Sequence, residues 1–316
     1  MKKLLIISGP TASGKTSLAF SLAKKFDGEL ISADSRQMYR KMDIVTGKEI
    51  DEKIKTRLID VVAPDEQFSV SHYYQLAWKA IEDIRQRKKL PIIVGGTGFY
   101  IKAVLDGIET MGIAPDWKLR GEFETLTVDQ LQEKLKQLDA KRWDRMNESD
   151  RKNPRRLVRA IEVTTLSGHP ERSEGSLANA RIADKRRDSS ATPQNDISVL
   201  WIGLTVPNTI LYQRIDQRVE ERLKMGAVEE TKELAKKYGW DIPSMTGQGY
   251  RQLRGFVEGK LSLEEGVKRW KFAEHEYARR QMTWFKKDKR IVWFDISDSK
   301  FQEKVEERLR EWYDKT

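Results

Sequence analysis

The chain has 316 residues, 38% hydrophobic and 34% charged, so it is long enough for one large domain or two with a sizeable core. It contains no cysteine, which excludes disulfides, zinc fingers and thiol nucleophiles. The formal net charge of +10 favours an acidic partner, and nucleic acid is the commonest large one.

The first predicted elements are a strand, Leu4–Ile7, a glycine-rich turn and a helix. The turn, Gly9-Pro10-Thr11-Ala12-Ser13-Gly14-Lys15-Thr16, matches the P-loop pattern G-x-x-x-x-G-K-[ST] in the context that the pattern requires. Backbone N–H groups of such a turn bind phosphate oxygens, Lys15 adds a charge, and the Thr16 hydroxyl can hold Mg²⁺. The turn therefore predicts a polyphosphate site, without specifying which polyphosphate binds.

Two polar residues follow later strands of the predicted sheet. A short buried strand over residues 30–31 has Asp34 at its carboxyl end, and a second strand, Pro91–Val94, leads into a glycine turn that contains Thr97. Because ligands of open α/β sheets bind at the carboxyl edge, we expect both residues near the P-loop. Asp34 fits a Mg²⁺ ligand, a general base or a helix N-cap. No acidic residue ends the strand at Val94, which weakens the interpretation as a simple P-loop ATPase.

One further strand and one helix are predicted between these strands. The run Arg57–Val62 predicts a strand that ends before Pro64. Ser69–Arg87 predicts a helix with a serine cap and an apolar stripe along one face. The stripe contains Tyr74, Ala77, Trp78, Ile81 and Ile84.

The alternation of strands and helices stops over residues 116–197, a charged and mostly helical segment. One amphipathic helix is marked by Leu126, Leu131, Leu135 and Leu138. Asn153-Pro154 marks a helix boundary, so Arg155, Arg156 and Arg159 line one face of the helix that follows. These arginines fit either a phosphate-binding surface or an ordinary solvated face.

Residues 169–196 are polar with few bulky apolar side chains, which predicts a mobile loop. A buried strand, Val199–Leu204, follows it. The region Asn208–Tyr238 is predicted to be helical, and Arg214 and Arg218 lie four residues apart on one face of it.

A glycine-rich loop over residues 244–251 then enters a short helix. A long helix over Ser262–Lys287 interleaves core aromatic residues with basic residues, which form a second candidate phosphate-facing surface. A last strand, Ile291–Phe294, precedes a closing helix over Phe301–Trp312.

These elements predict an α/β fold. Its core is a P-loop NTPase-like parallel sheet with C-terminal helices, formed by residues 1–115 and 198–316. A mostly helical insertion over residues 116–197 interrupts it, with the mobile loop at 169–196.

Five motifs stand in order along the chain. They are G-P-T-A-S-G-K-T at 9–16, D-S-R-Q-M-Y at 34–39, G-G-T-G-F-Y at 95–100, P-R-R-L-V-R-A at 154–160 and G-Q-G-Y-R at 247–251. Together they resemble the tRNA dimethylallyltransferase family over nearly the whole chain. Residues 169–196 show no family pattern.

The resemblance implies transfer of the dimethylallyl group of dimethylallyl diphosphate to N6 of the adenine at tRNA position 37, beside the anticodon. The P-loop, Gly9 to Thr16, would hold the diphosphate leaving group, with Thr16 as a ligand of the cofactor Mg²⁺. Motif matching makes Asp34 the general base on a flipped-out adenine, and Thr97 and Arg218 further catalytic residues.

The resemblance also implies a set of tRNA-binding residues and a partner, the anticodon stem-loop. The set is Asp34, Ser35, Arg36, Gln37, Thr97, Arg120, Arg155, Arg156, Leu157, Val158, Arg159, Gly247, Gln248, Gly249, Tyr250 and Arg251. No segment predicts a dimer interface, so we expect a monomer.

Three other functions share some of these features. A P-loop kinase would share the turn, but it would need ATP and a nucleoside pocket. An adenylate isopentenyltransferase would share the turn and Asp34, but it modifies a free nucleotide and has less need of basic helices. An RNA-binding module without activity would leave the convergence of Lys15, Asp34 and Thr97 unexplained.

The chain shows no sign of membrane contact. No apolar run approaches the ~18 residues of a membrane span, and a strand begins almost at the first residue, which leaves no room for a signal peptide. We therefore expect a cytoplasmic location.

Overall fold

The structure, a computed structural model, describes residues 2–107, 113, 116–123, 125–167 and 197–315. The chain divides into two compact units, one formed by Met1–Gly107 with Asp196–Thr316 and the other by Ile108–Asn195. The predicted loop over 169–196 lies outside the described residues. The predicted domain ranges, and the RNA contacts of the insertion, stay predictions.

A six-stranded parallel sheet forms the centre of the first unit. Its strands are β1 (Lys2–Ser8), β2 (Gly28–Ser32), β3 (Thr56–Arg57), β4 (Leu90–Gly95), β5 (Ile197–Thr205) and β6 (Ile291–Asp295). They lie in the order β3-β2-β4-β1-β5-β6, and every pairing is parallel. The strands are short apolar runs because helices cover both faces of the sheet. The predicted α/β class and parallel sheet are confirmed.

The strand predicted over Arg57–Val62 is wrong beyond its first residue. Leu58 and Asp60 have φ angles of 61° and 56°, in the left-handed region, so the extended conformation ends at Arg57. Val62 forms only an isolated parallel bridge with Tyr39.

Three helices follow strands in the N-terminal part of the first unit: α1 (Lys15–Lys25), α2 (Val70–Gln86) and α3 (Gly98–Asp106). Ser69 caps α2, because its hydroxyl accepts from the backbone N–H of His72 at 3.3 Å. The buried stripe of α2 contains Tyr73, whereas the predicted Tyr74 and Trp78 are only half-buried.

The second unit consists of short helices around a core of its own. They are α4 (Trp117–Phe123), α5 (Val128–Leu138), α6 (Ala140–Arg145), α7 (Glu148–Arg151) and α8 (Pro154–Ser167). The core includes Phe123, Leu131, Leu135, Leu157 and Ile161. The predicted amphipathic helix is shorter than its leucine pattern, since Leu126 precedes α5 and the side chain of Leu138 is exposed.

The C-terminal part of the first unit adds α9 (Asn208–Lys224), α10 (Ala227–Tyr238), α11 (Tyr250–Val257), α12 (Leu263–Phe285) and α13 (Phe301–Asp314). The region predicted as helical over 208–238 is two helices, because Gly226 lies between them at φ 102°. Among the described residues, none of the helices is both long and apolar enough for a membrane span.

The two faces of the sheet carry separate apolar clusters. Successive residues of a strand point to opposite faces, so Leu4 and Ile6 of β1 pack with α2 and α3, whereas Leu5 and Ile7 pack with α1 and α13. This layering leaves the carboxyl ends of the strands uncovered by either helical layer, and the P-loop and Asp34 follow those ends.

Candidate active site

The turn between β1 and α1 has the backbone of a phosphate-binding loop. Gly14, at φ 80°, directly precedes α1, and a Cβ at Gly9 would lie 2.8 Å from the carbonyl oxygen of Leu204. Only glycine therefore fits against β5 at position 9. The Ser13 hydroxyl is buried and has no hydrogen-bond partner among the described residues. A phosphate oxygen would satisfy this hydroxyl.

Gln281 of α12 connects this turn to the end of β4. Its Oε1 accepts from the backbone N–H of Thr11 at 2.8 Å, and its Nε2 donates to the carbonyl oxygen of Gly96 at 3.0 Å. The side chain is buried. The side chain of Gln281 therefore connects the P-loop both to α12 and to the residue after β4, without any bound ligand.

An open cavity lies at the carboxyl edge of the sheet, within the first unit. The predicted site residues that line it are Thr11, Lys15, Thr16, Asp34, Gln37 and Arg218. Residues absent from the prediction also line it, including Glu49, Arg222, Tyr277 and Gln281. The structure thus brings the predicted base, P-loop and Arg218 to one cavity.

Asp34 lies in a tight turn, and among the described residues only one of its two carboxylate oxygens has a hydrogen-bond donor. Its Oδ1 accepts from the backbone N–H of Arg36 at 2.9 Å, so the carboxylate caps this turn and not a helix. Thr97 does not line the cavity directly. Its Oγ1 accepts from the backbone N–H of Ser35 at 3.1 Å, and its hydroxyl bonds Tyr277. Thr97 therefore orients the segment that carries Asp34.

Positive charge is concentrated around the P-loop. The pKa of Lys15 is lowered to about 8, mainly by burial and then by the positive charge of Arg218, whereas the carboxylates of Asp34 and Glu49 act to raise it. Arg218 donates to Glu49 at 3.1 Å. Burial also raises the pKa of Tyr277, as does the Asp34 carboxylate, so its phenol stays protonated.

The two predicted tRNA-binding segments of the first unit are adjacent. The Arg36 guanidinium donates to the carbonyl oxygen of Pro243 at 3.0 Å and lies near the Thr246 hydroxyl, immediately before the 247–251 loop. Within that loop Arg251 is exposed, whereas Tyr250 is fully buried and donates to Glu230 at 2.7 Å. Tyr250 therefore supports the loop, and an RNA contact from its side chain would need the loop to open.

The predicted tRNA-binding residues of the second unit have different environments. Arg155 and Arg156 are exposed on α8, and Arg156 pairs with Asp150. The side chain of Leu157 is fully buried in the core of the unit, so only its backbone is available for an RNA contact.

Arg120 and Arg159 both bind the buried carboxylate of Glu162. Arg120 donates to it through Nε at 3.0 Å and through Nη2 at 2.8 Å, and Arg159 donates through Nη1. Burial raises the pKa of Glu162, but the hydrogen bonds from the two arginines outweigh burial and hold the pKa below its usual value. Both guanidinium groups remain about one quarter exposed.

The described residues contain no group of three or more His, Cys, Asp or Glu side chains that could hold a metal alone. Mg²⁺ bound together with phosphates commonly takes one or two protein oxygens and completes its shell with phosphate and water. Thr16 and Asp34 line the same cavity, so the donor set fits Mg²⁺ when a diphosphate supplies further oxygens.

Two of the missed cavity residues lie at helical spacing from another residue that lines the cavity. Arg222 is four residues after Arg218 in α9, and Gln281 is four residues after Tyr277 in α12. Arg214, which was predicted to share a helix face with Arg218, is exposed and does not line the cavity. Helical spacing would have placed these residues on shared faces, but it would not have shown which face meets the P-loop.

Comparison with known families matches residues 37–288 to the family described as IPP transferase. The matched range begins after the P-loop and Asp34. The chain is 41% identical to the tRNA dimethylallyltransferase of Roseiflexus castenholzii, over 99% of both chains. It is 38% identical to that of Acetivibrio thermocellus, over 98% of this chain and 97% of the relative.

Solved structures show the same similarity. The full-length tRNA isopentenylpyrophosphate transferase from Bacillus halodurans has a TM-score of 0.71 and 32% identity, over 99% of this chain and 97% of that one. A eukaryotic dimethylallyltransferase acting on tRNA has a TM-score of 0.77 and 25% identity, over 98% of this chain and 78% of that one.

Proposed function

The chain belongs to the IPP transferase family, and we propose that it transfers the dimethylallyl group of dimethylallyl diphosphate to N6 of the adenine at tRNA position 37. The observation that carries this proposal is the cavity at the carboxyl edge of the sheet. It combines the P-loop, a carboxylate at Asp34 and a second cation at Arg218.

The P-loop side of the cavity would hold the leaving group. When the C1–O bond of the donor breaks, its electron pair remains on the diphosphate and C1 gains allylic cation character. Lys15 and Arg218, which line the cavity, would stabilise that negative charge, and the Ser13 hydroxyl, which has no hydrogen-bond partner among the described residues, would add a donor. Charge stabilisation by such preorganised donors is usually the largest catalytic effect of this kind.

Asp34 would serve the other half of the reaction. As N6 of the adenine bonds to C1, the amine must lose a proton, which the Asp34 carboxylate accepts. The hydrogen bond from the Arg36 backbone occupies Oδ1, so Oδ2 is the oxygen assigned to the proton. The adenine must leave its stack to reach this carboxylate.

The proposal includes Mg²⁺, held by the Thr16 hydroxyl with Asp34 nearby. When bound, the ion would neutralise part of the diphosphate charge.

The proposed RNA partner is the anticodon stem-loop, and the proposed state is a monomer. Exposed arginines of α8, Arg155 and Arg156, and the exposed Arg251 of the first unit are the side chains we assign to phosphate contacts. The net charge of +10 supports a polyanionic substrate.

Incubation with labelled dimethylallyl diphosphate, tRNA and Mg²⁺ tests the proposal. Label should enter tRNA. A reaction with free AMP in place of tRNA should leave AMP unlabelled, and a reaction with labelled ATP in place of dimethylallyl diphosphate should leave tRNA unlabelled. A tRNA that has guanine at position 37 should remain unlabelled. Label in AMP alone would favour an adenylate transferase, and phosphate transfer from ATP would favour a kinase.

Asp34→Ala should reduce single-turnover prenyl transfer by roughly 10²- to 10⁴-fold, because the proton of N6 loses its acceptor. The Kd for tRNA should stay within a few fold of the wild-type value. Asp65→Ala is the matched control, since Asp65 is an exposed aspartate of the same unit. Near-normal turnover by Asp34→Ala would show that another group accepts the proton.

A further inference from the structure

Arg222 lies in the wall of the cavity, although no motif includes it. Its side chain is only about one tenth exposed, and it lies one helical turn beyond Arg218 on α9. It lines the cavity together with Lys15 and Arg218. Arginine is seldom buried unless its charge and its five N–H donors are satisfied, so this position requires an explanation.

The surrounding protein satisfies Arg222 only in part. Within the described part of the chain, its nearest carboxylate oxygen is Oε1 of Glu274, at 3.7 Å, which is an ion-pair distance but too long for a hydrogen bond. Glu274 also accepts from the indole of Trp270 at 3.3 Å. Burial lowers the pKa of Arg222, and the positive charge of Arg218 lowers it further, against the carboxylates of Glu274, Asp34 and Glu49.

Gly47 provides the space that the guanidinium occupies. A Cβ at Gly47 would overlap with Nη2 of Arg222, and Gly47 has a φ of 62°, which also favours glycine. The segment before Gly47 is held firmly, because Glu230 accepts from the backbone N–H groups of Asp43, Ile44 and Val45 at 2.9, 2.7 and 3.0 Å. The loop therefore cannot move away easily. The position of the Arg222 guanidinium requires glycine at position 47, because any larger residue would overlap with it.

More cations than carboxylates line the cavity. Lys15, Arg218 and Arg222 line it, opposed by Asp34 and Glu49. Glu49 is paired with Arg218, and Asp34 lies in its own turn. A diphosphate would supply acceptors that the N–H groups of Arg222 lack, in a region where charge-assisted hydrogen bonds are strong.

We propose that Arg222 is a diphosphate-binding residue of this site, admitted by Gly47 and held from behind by Glu274. The inference rests on the proposed function for the identity of the anion. In the reaction, the C1–O bond breaks and its electron pair stays on the diphosphate, whose added charge Arg222 shares with Lys15 and Arg218.

Titration calorimetry of the full chain with inorganic pyrophosphate and Mg²⁺ tests this assignment. Arg222→Met, which retains much of the side-chain volume, should weaken pyrophosphate binding by about tenfold or more. The control Arg214→Met, an exposed arginine of the same helix, should bind within about twofold of wild type. If Arg222→Met unfolds cooperatively like wild type and binds pyrophosphate equally well, the proposal is wrong.

Arg222→Lys keeps the test decisive if the methionine variant does not fold. Lysine retains the charge but loses the planar fork, so pyrophosphate affinity should fall by about threefold or more. Unchanged affinity in a folded Arg222→Lys protein would contradict a direct contact.

Gly47→Ala probes the same contact from the other side. The added methyl should displace the guanidinium and weaken pyrophosphate binding in the wild-type background. In the Arg222→Met background the same change should have an additional effect of only about twofold. Equal losses in both backgrounds would trace the effect to backbone strain at position 47 and overturn the assignment.

The pyrophosphate and transfer measurements separate the two proposals. A wild-type protein that does not label tRNA, together with a tenfold loss of pyrophosphate affinity in Arg222→Met, would refute the proposed reaction and keep Arg222 in an anion site. Normal labelling of tRNA by the wild-type protein, together with unchanged pyrophosphate affinity in Arg222→Met, would support the proposed reaction and refute the role of Arg222.

Discussion

The charged form of Lys15 is in an unfavourable electrostatic environment when no ligand is bound. Its ammonium donates to the carbonyl oxygen of Pro10, while burial and the charge of Arg218 lower its pKa to about 8. A protonated Lys15 in the free protein is therefore under-solvated and repelled. A diphosphate bound as proposed would reverse both effects, since it would add acceptors and negative charge at the same place.

The lowered pKa of Lys15 predicts a pH dependence of pyrophosphate binding. Binding needs the protonated amine, so affinity should fall as pH rises above about 8. Lys15→Arg is the control, because a guanidinium stays charged over this range. Titration of pyrophosphate itself affects both proteins equally, so the comparison cancels it. Calorimetry at a series of pH values from about 7 to 9 should show a steeper decline for wild type than for Lys15→Arg. Parallel declines would show that Lys15 does not titrate here.

Helix α8 presents different faces to the core of the second unit and to solvent. Leu157 and Ile161 enter the core of the second unit, Arg159 turns to the buried Glu162, and Arg155 and Arg156 stay exposed. Because Glu162 fixes the orientation of Arg120 and Arg159 on the protein side, those two arginines are preorganised. Within the described part of the chain, neither Arg155 nor Arg156 has such a buried anchor.

Removing the exposed arginines should reduce the salt dependence of tRNA binding. In the double variant Arg155→Ala/Arg156→Ala, the slope of log K against log salt should become shallower by about one to two. Lys141→Ala/Lys152→Ala is the control, since it removes equal charge from the same unit, at α6 and at the residue after α7. An unchanged slope in the arginine variant would place the phosphate contacts on another surface.

The molecule consists of two units with separate apolar cores. All members of the Leu131–Leu135–Leu157 cluster lie in the second unit, whereas the clusters on both faces of the sheet lie in the first. Among the described residues, those that line the cavity at the carboxyl edge of the sheet all lie in the first unit. Folding of the insertion and binding of the diphosphate should therefore be separable.

Leu157→Ala tests this separation. Loss of a fully buried leucine should destabilise the second unit by about 2–5 kcal/mol, through lost transfer energy and the cavity that remains. Affinity for tRNA should fall, while affinity for pyrophosphate with Mg²⁺ should stay within about twofold of wild type. Leu138→Ala is the matched control, because Leu138 is exposed. A comparable loss of pyrophosphate affinity would show that the two units unfold together.

Patterns between near neighbours in the chain predicted much of this protein. The P-loop depends on eight consecutive residues, and helices such as α2 and α12 follow from periodicity and caps, because hydrogen bonds in these structures join residues a few positions apart. The parallel sheet followed from the same reasoning, through the alternation of strands and helices. The strand predicted over Arg57–Val62 ends at Arg57 in the structure, because Leu58 and Asp60 adopt left-handed conformations that have no composition signal.

The sequence by itself determined the fold class, the phosphate-binding turn and the family resemblance through its spaced motifs. Only the tertiary structure decided which distant side chains complete the cavity. Gln281 reaches Thr11 across 270 residues, and Arg222 fits beside Gly47 through the absence of a Cβ. Such contacts depend on how the helices pack on the sheet. Helical spacing shows which residues share one face of a helix, but it does not show which part of the protein that face contacts.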